Sequence, residues 1–538
     1  MTRLPHPLAL VPVALLAVLG AAPLVAQARG PLTAPERSNH EQTSRYEEVV
    51  QFLREVDRSP LIHLTTFGYT GEGRALPLAV VGRVRDASPE AVRASGRTVV
   101  YVQANIHAGE VEGKEAALML LRDVAAGRHP RWLDSLVLLV APIYNADGNE
   151  RVSLTNRPLQ LGPIGGMGQR ANAQGLDLNR DHTKLETAEA RSQVALINRY
   201  DPHVLMDLHT TDGSVHAYHL TYAEPLHPAT DAAIVRLLRE EWLPDVTRRI
   251  RERDGWDIWF YGNTPAAPVD RGGGGGQPGW YSFDHRPRFS ENYWGLRNRV
   301  GILSEAYSYA TFAERIRATL HFVEENLQWA WANATRIRAL VATADARTLV
   351  GDSLPLRARL RRGADVDVLI GAVDTVPNPY TGLPMLRRLD VRRAVRMPDY
   401  TTFEGAEHAR VPRAYLVPPR LVRVVERLEA HGLRLRRLER AQTLLVEKFR
   451  VDSTAQAARE FQGHRERTAF GAWEPAEELV PAGTVVVDLM QPLGRLAFVL
   501  LEPRSDDGLL NWNFMDEALV NAQYAPVMRA RGMPENRP

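Results

Sequence analysis

The stretch Arg97-Thr98-Val99-Val100-Tyr101-Val102-Gln103, continuing through Ala104-Asn105-Ile106-His107-Ala108-Gly109-Glu110, decides how this 538-residue chain is read. Its first half is rich in β-branched and aromatic residues and predicts a buried strand. Residues 110–124 then predict a helix, with Ala116, Leu120 and Val124 on one face. His107 and Glu110 therefore stand where a strand gives way to a helix. An imidazole and a carboxylate on such a turn can point at one ion, and that donor pair suits zinc. The same two residues also fit a surface histidine beside a glutamate that favours a helix N-terminus.

Outward from this turn, residues 136–142, 204–208 and 300–303 read as further apolar strands, and residues 46–56 and 313–343 as helical. Strands alternating with helices predict an α/β fold, a mixed, mainly parallel sheet flanked by helices. Two glycine-rich stretches, 162–168 and 272–276, lack the strand–GxGxxG–helix context of a dinucleotide site and read as mobile surface loops. Past residue 349 the texture changes. Strands are expected at 356–360, 366–369 and 442–449, a helix at 422–432, and a last strand pair at 485–489 and 496–501. The expected division is a signal segment at 1–28, a catalytic domain at 29–345, and a smaller α+β or β-rich accessory domain at 346–538.

Composition narrows the chemistry. The formal charge of +2 gives no broad attraction to nucleic acid or anionic membrane. The chain has no cysteine, so disulfides, thiolate metal sites and cysteine nucleophiles are excluded, and a transition-metal site must use His, Asp and Glu. Near the N-terminus, Arg3, the apolar run at 8–19 and the Ala26-Gln27-Ala28 pattern read as a cleavable signal, since Pro12 and Pro23 interrupt a run too short to span a bilayer. The expectation is a secreted or periplasmic protein with no stable membrane anchor after cleavage.

Three further pieces carry candidate chemistry. Asp207-Leu208-His209-Thr210 ends an apolar strand, and functional groups of open α/β sheets gather at such ends. His203, His216 and His219 compete with His209, which is preferred because it directly follows the strand. Asp177-Leu178-Asn179-Arg180 reads as a turn with a solvated arginine, or as an amide and a guanidinium suited to gripping a carboxylate. Glu305, after the strand at 300–303, is a solvated strand-end carboxylate or a general base.

In order along the chain, His107-Ala-Gly-Glu110, Asn145-Ala-Asp-Gly148, Asp177-Leu-Asn-Arg180, His209 and Glu305 resemble the zinc carboxypeptidase family, which contains carboxypeptidases A and B and the regulatory carboxypeptidases. The resemblance covers roughly residues 46–340. It implies one zinc per chain held by His107, Glu110 and His209, with Glu305 as general base in a direct attack by water. Asn179 and Arg180 match the pair that binds a substrate's terminal carboxylate. Arg170, nine residues before Asn179, matches the arginine that polarises the scissile carbonyl. Tyr281 and Tyr293 both match a tyrosine that closes over the substrate, Tyr281 being preferred on spacing.

The implied partner is a peptide or protein with a free C-terminus. Ala146, Asp181, Thr210 and the Ser304-Glu305-Ala306-Tyr307 context depart from the usual pattern, which leaves the specificity pocket open. A relative acting on cell-wall amides, or a zinc- or peptide-binding protein without catalysis, would share many of these residues.

Overall fold

The first nine strands are β1 (Ile62–Tyr69), β2 (Ala75–Val81), β3 (Thr98–Ala104), β4 (Leu136–Ala141), β5 (Val204–Thr210), β6 (Leu220–Ala223), β7 (Ile258–Phe260), β8 (Trp280–Tyr281) and β9 (Val300–Ala306). All but β8 join one sheet in the order β1-β2-β4-β3-β5-β9-β6-β7. This computed structural model describes residues 30–211, 213–265 and 277–534. The expected signal segment and the glycine run at 272–276 lie outside the described residues.

The centre of the sheet is parallel: β4, β3, β5 and β9 run side by side in one direction, while β1 and β2 pair antiparallel to their neighbours and β6 lies antiparallel to β9 and parallel to β7. Strands β3, β4 and β5 are buried at every residue. Such continuous apolar runs are what a parallel sheet covered by helices requires. Helices Glu112–Ala125 and Phe312–Ala332 pack on the sheet and on each other. The expected mixed α/β architecture is therefore present. The helix expected over 313–343 is two, Phe312–Ala332 and Ala334–Ala346, divided at Asn333, whose side chain donates back to the Trp329 carbonyl.

Beyond the sheet lies a β-rich C-terminal region: β10 (Ser353–Arg361), β11 (Asp365–Pro377), β12 (Pro384–Tyr400), β13 (Thr402–Arg410), β14 (Ala414–Val417), β15 (Leu435–Arg437), β16 (Gln442–Gln456), β17 (Arg467–Val480), β18 (Val485–Asp488) and β19 (Tyr524–Ala530). Six of these form a sheet in the order β15-β18-β14-β19-β16-β17. The β11–β12 ribbon adds β8 along the edge of β12. It also grips the first unit through Ala217 N–H to Leu369 O at 2.9 Å and Arg388 N–H to Tyr309 O at 2.8 Å.

Two local expectations change. Residues 496–501 are not a strand but part of the helix Gly494–Leu501, buried at every position. A short apolar run has no periodicity to separate the two, and its leucines and alanine favour helix once burial surrounds it. The 162–168 stretch is not a mobile surface loop at its far end. A Cβ on Gly168 would meet Ala108 O at 2.7 Å and Gly148 O at 2.6 Å, so this glycine permits close packing beneath the His107 turn.

Candidate metal centre

Strand β3 delivers the first two site residues. After Ala104 the chain turns at Asn105 with φ +66°, a left-handed conformation that asparagine tolerates, and Asn105 Nδ2 donates to the carbonyls of Ala108 and Glu110. Strands β5 and β9 are parallel and in register, with His209 beside Glu305. Along β9 only Glu305 escapes full burial. Three neighbouring carboxyl ends thus converge on one spot, as open α/β sheets favour.

At that spot His107 Nδ1 lies 3.0 Å from Glu110 Oε1, and His209 Nδ1 lies 2.8 Å from Glu110 Oε2. One donor atom from each of the three residues lies within 4.8 Å of the others, and all three residues are buried. The far ring nitrogens face carboxylates: His107 Nε2 is 2.9 Å from Asp177 Oδ1, and His209 Nε2 is 3.0 Å from Asp207 Oδ2. Both imidazoles therefore turn Nδ1 inward; His107 can give Nε2–H to Asp177, which fixes its tautomer and orientation, while His209 Nε2 lies beside the Asp207 carboxylate without an aligned hydrogen bond. Two imidazoles and one carboxylate form a three-donor catalytic zinc set with room for a further ligand. The residues present fit a zinc ion.

Charge is matched around the centre. Arg157 Nη1 donates to Glu110 Oε1 at 2.6 Å, and Arg170 reaches Asp177 Oδ2 at 2.9 Å. Burial would raise the Asp177 carboxyl, but the charges of Arg170, His107 and Arg180 hold it well below the usual carboxylate range. Burial likewise opposes Glu110, whose carboxyl is held far below its ordinary value by His107 and Arg157. Asn145 links the motifs: its Nδ2 donates to Ile106 O and Arg170 O, and its Oδ1 accepts from Gly148 N. Asn179 Oδ1 accepts from Ser290 N at 2.9 Å, and the Arg180 guanidinium stacks 3.8 Å above the Phe289 ring.

His107, Glu110, Arg170, Asn179, Arg180, His209 and Glu305 line one small cavity of about 30 Å3. Arg170 and Arg180 also border a larger cleft of about 960 Å3, and Tyr281 lines that cleft, stacked on Tyr400 at 4.5 Å. Tyr293 is elsewhere. It is fully buried, with its hydroxyl 2.8 Å from His431 Nδ1, and borders neither cavity. Its helix, Ser290–Leu296, turns that side chain into the core. The competing His203, His216 and His219 stay outside the donor cluster, and burial depresses His216 and His219 to about 3.

Sequence reasoning missed Arg157, for which no motif signals a role, and Glu291, which lines the small cavity. Asp207 was legible in part: residues two apart in a strand share a face, so Asp207 and His209 project together.

Residues 49–222 match the zinc carboxypeptidase family. Carboxypeptidase 2 of Trichophyton tonsurans is 24% identical over 509 residues, covering 90% of this chain and 86% of that protein. Probable carboxypeptidase 2 of Arthroderma benhamiae is 26% identical over 482 residues, covering 86% of this chain and 84% of that protein. These alignments run far past residue 222 into the β-rich region. Among solved structures, the chain is similar to a metallo-carboxypeptidase from Pseudomonas aeruginosa in complex with (2-guanidinoethylmercapto)succinic acid, with 16% identity, a TM-score of 0.39, and 55% of this chain and 69% of that one covered. It is also similar to carboxypeptidase A from Helicoverpa armigera, with 14% identity, a TM-score of 0.40, and coverage of 55% and 75%. The matched span, residues 49–222, holds both the turn bearing His107 and Glu110 and the strand bearing His209, so it is this part of the chain that is similar to zinc carboxypeptidases.

Proposed function

We propose that the chain is an exported, zinc-dependent carboxypeptidase that removes residues from the C-termini of peptides, with Glu305 as general base. The observation that carries this reading is the convergence of the His107, Glu110 and His209 donors beside a partly exposed Glu305, its register partner on β9. His107, Glu110 and His209 would hold the zinc, which supplies a Lewis acid able to make water nucleophilic near neutral pH.

The chain's own side chains do the rest. Asn179 and Arg180 hold the substrate's terminal carboxylate, Arg180 being steadied by its stacking on Phe289. Arg170 donates to the scissile carbonyl oxygen as negative charge develops there. Glu305 takes a proton from the attacking water and passes it to the departing amine. Water attacks directly, so no acyl-enzyme accumulates. Tyr281, at the cleft, is the tyrosine that closes over the substrate.

Residues 346–538 serve as an accessory unit. Export rests on the signal pattern ending in Ala26-Gln27-Ala28. The test incubates the zinc-loaded protein with mixed peptides and reads products by mass spectrometry, beside samples carrying Glu305→Gln or a chelator. Stepwise loss of C-terminal residues, absent from both controls, is the expected result. Internal cuts with the same controls would remove the assigned role of Asn179 and Arg180. No cleavage despite bound zinc would overturn the reading.

A further inference from the structure

The larger cleft runs outward from Arg170 and Arg180, and part of its wall comes from the C-terminal region through Arg357, Arg359 and Phe403. Among the described residues, six arginines line it against four carboxylates. Those carboxylates are engaged. Asp177 faces Arg170 at 2.9 Å, Asp284 faces Arg286 at 3.2 Å, Glu466 faces Arg288 at 2.7 Å, and Asp506 faces His285 at 3.1 Å. On the β10 wall, Arg359 pairs with Glu404 at 2.8 Å.

Arg357 differs. Its side chain is half-buried in the cleft wall, and among the described residues no hydrogen bond or ion pair reaches its guanidinium. The reason lies in the strand. The pairing of β10 with β13 shifts on both sides of Arg357 and sets it opposite Glu407. That carboxylate is taken: Glu407 accepts from Arg504 with both oxygens, at 2.8 and 2.6 Å. Irregularities of this kind re-aim a side chain, here toward the cleft. A half-desolvated guanidinium facing no acid of its own is matched best by an incoming carboxylate, which it can grip with two parallel hydrogen bonds.

We propose that Arg357 forms a subsite for an acidic side chain of the substrate, so that peptides carrying Asp or Glu near the C-terminus are preferred. The carboxylate it takes is additional to the terminal one assigned to Asn179 and Arg180, and the proposal rests on the carboxypeptidase reading above. The excess positive charge of the cleft draws such peptides in, an attraction that weakens with salt.

The test uses the zinc-loaded full chain and pairs of synthetic peptides that differ by Glu or Gln at one position, walked back from the C-terminal residue. At one position the Glu peptide should be favoured about tenfold in kcat/KM. Arg357→Gln should bring that ratio to about one, Arg357→Lys should keep part of it, and Arg357→Glu should turn the preference toward a Lys peptide. A purely structural role would slow both peptides of a pair and leave their ratio alone. The same Glu-to-Gln ratio in wild type and Arg357→Gln at every position would overturn the subsite. If no peptide is cleaved, the carboxypeptidase reading fails instead. Calorimetric binding of the same peptide pairs then decides the subsite: tighter Glu binding lost in Arg357→Gln supports it, and equal binding overturns it.

Discussion

The strand ends of the central sheet and the outer strands of the C-terminal region handle charge in opposite ways. At the centre, Arg157 and Glu110 meet at 2.6 Å with side chains 15% and 3% exposed. On the outer wall, Arg359 and Glu404 meet at 2.8 Å with side chains 69% and 42% exposed. The first pair is desolvated, so removing one partner strands a buried charge; the second is screened by solvent and contributes little to stability. The strands differ in the same way. Every residue of β5 is buried, whereas β12 is exposed along most of its length. A one-residue slip in β5 would destroy the packing, so its register, and with it the geometry of His209 beside Glu305, is fixed by the core. The outer strands hold their course by long pairing and by grips such as Arg388 N–H to Tyr309 O. The proposed chemistry sits on the buried strands, and the proposed recognition by Arg357 on the outer ones.

The sharpest way to break that contrast is Glu110→Gln. It removes the carboxylate from the three-donor set and, with it, the charge that Arg157 Nη1 meets at 2.6 Å. Bound zinc should fall from about one per chain to none by elemental analysis, with turnover lost. Full retention of zinc would show that the donors converge for a structural reason.

A second test uses Glu291 and its outer counterpart. Glu502, buried under the six-stranded sheet, has Arg529 Nη2 at 2.6 Å. Glu291 Oε2 lies 2.9 Å from Ser290 Oγ, has no cation pair among the described residues, and burial pushes its carboxyl up to about 7. The folded protein therefore keeps this proton at pH values where the unfolded chain, near the ordinary 4.5, has lost it. Stability from this group is full below pH ~4.5 and lost as pH rises through ~7, about 3 kcal/mol in all. Glu291→Gln should remove that part of the decline, read from urea unfolding at pH 5 and pH 8. Equal declines in both proteins would count against a protonated Glu291.

The contrast also explains what the sequence disclosed. Strands β3, β4 and β5 announced themselves as unbroken apolar runs, and the turn after β3 carried its donors within four residues, so the sheet centre and His107, Glu110, His209 and Glu305 were legible together. Asp177 stood in a recognisable motif, but its contact with His107 joins residues far apart in sequence and depends on the fold. The outer strands alternate weakly and are held by pairing rather than by burial. Residues 442–449 were legible as strand where β16 runs on to Gln456, and the buried helix Gly494–Leu501 passed for a strand. Tyr293 shows the same limit: a tyrosine near the right spacing says nothing about which side of its helix faces the core.

Smaller effects sharpen the picture within the central region. Asp207 Oδ2 lies 3.0 Å from His209 Nε2 while also accepting from Ser290 Oγ at 2.6 Å. Asp207→Asn should keep the fold and lower zinc affinity by about 10- to 100-fold in chelator competition. An unchanged affinity would mean that the β5–β9 register alone orients the imidazole.

The smallest expected effect lies where the two regions touch. Gln462, between β16 and β17, accepts from Asp177 N with Oε1 at 2.8 Å, and Asp177 in turn faces His107 and Arg170. An outer residue thus holds the loop that faces His107, a proposed metal ligand. Gln462 has φ +52°, so Gln462→Asn keeps a residue that tolerates this backbone while shortening the side chain out of reach. Loss of one part-buried hydrogen bond should cost about threefold, appearing together in zinc affinity and in kcat/KM. A fall in kcat/KM with zinc affinity intact would mean that the outer region meets substrate here rather than positioning the centre. No change in either would leave the division between rigid chemistry and outer recognition complete at this contact, with Asp177 held by its own loop through the Asn179 N–H that its Oδ1 accepts.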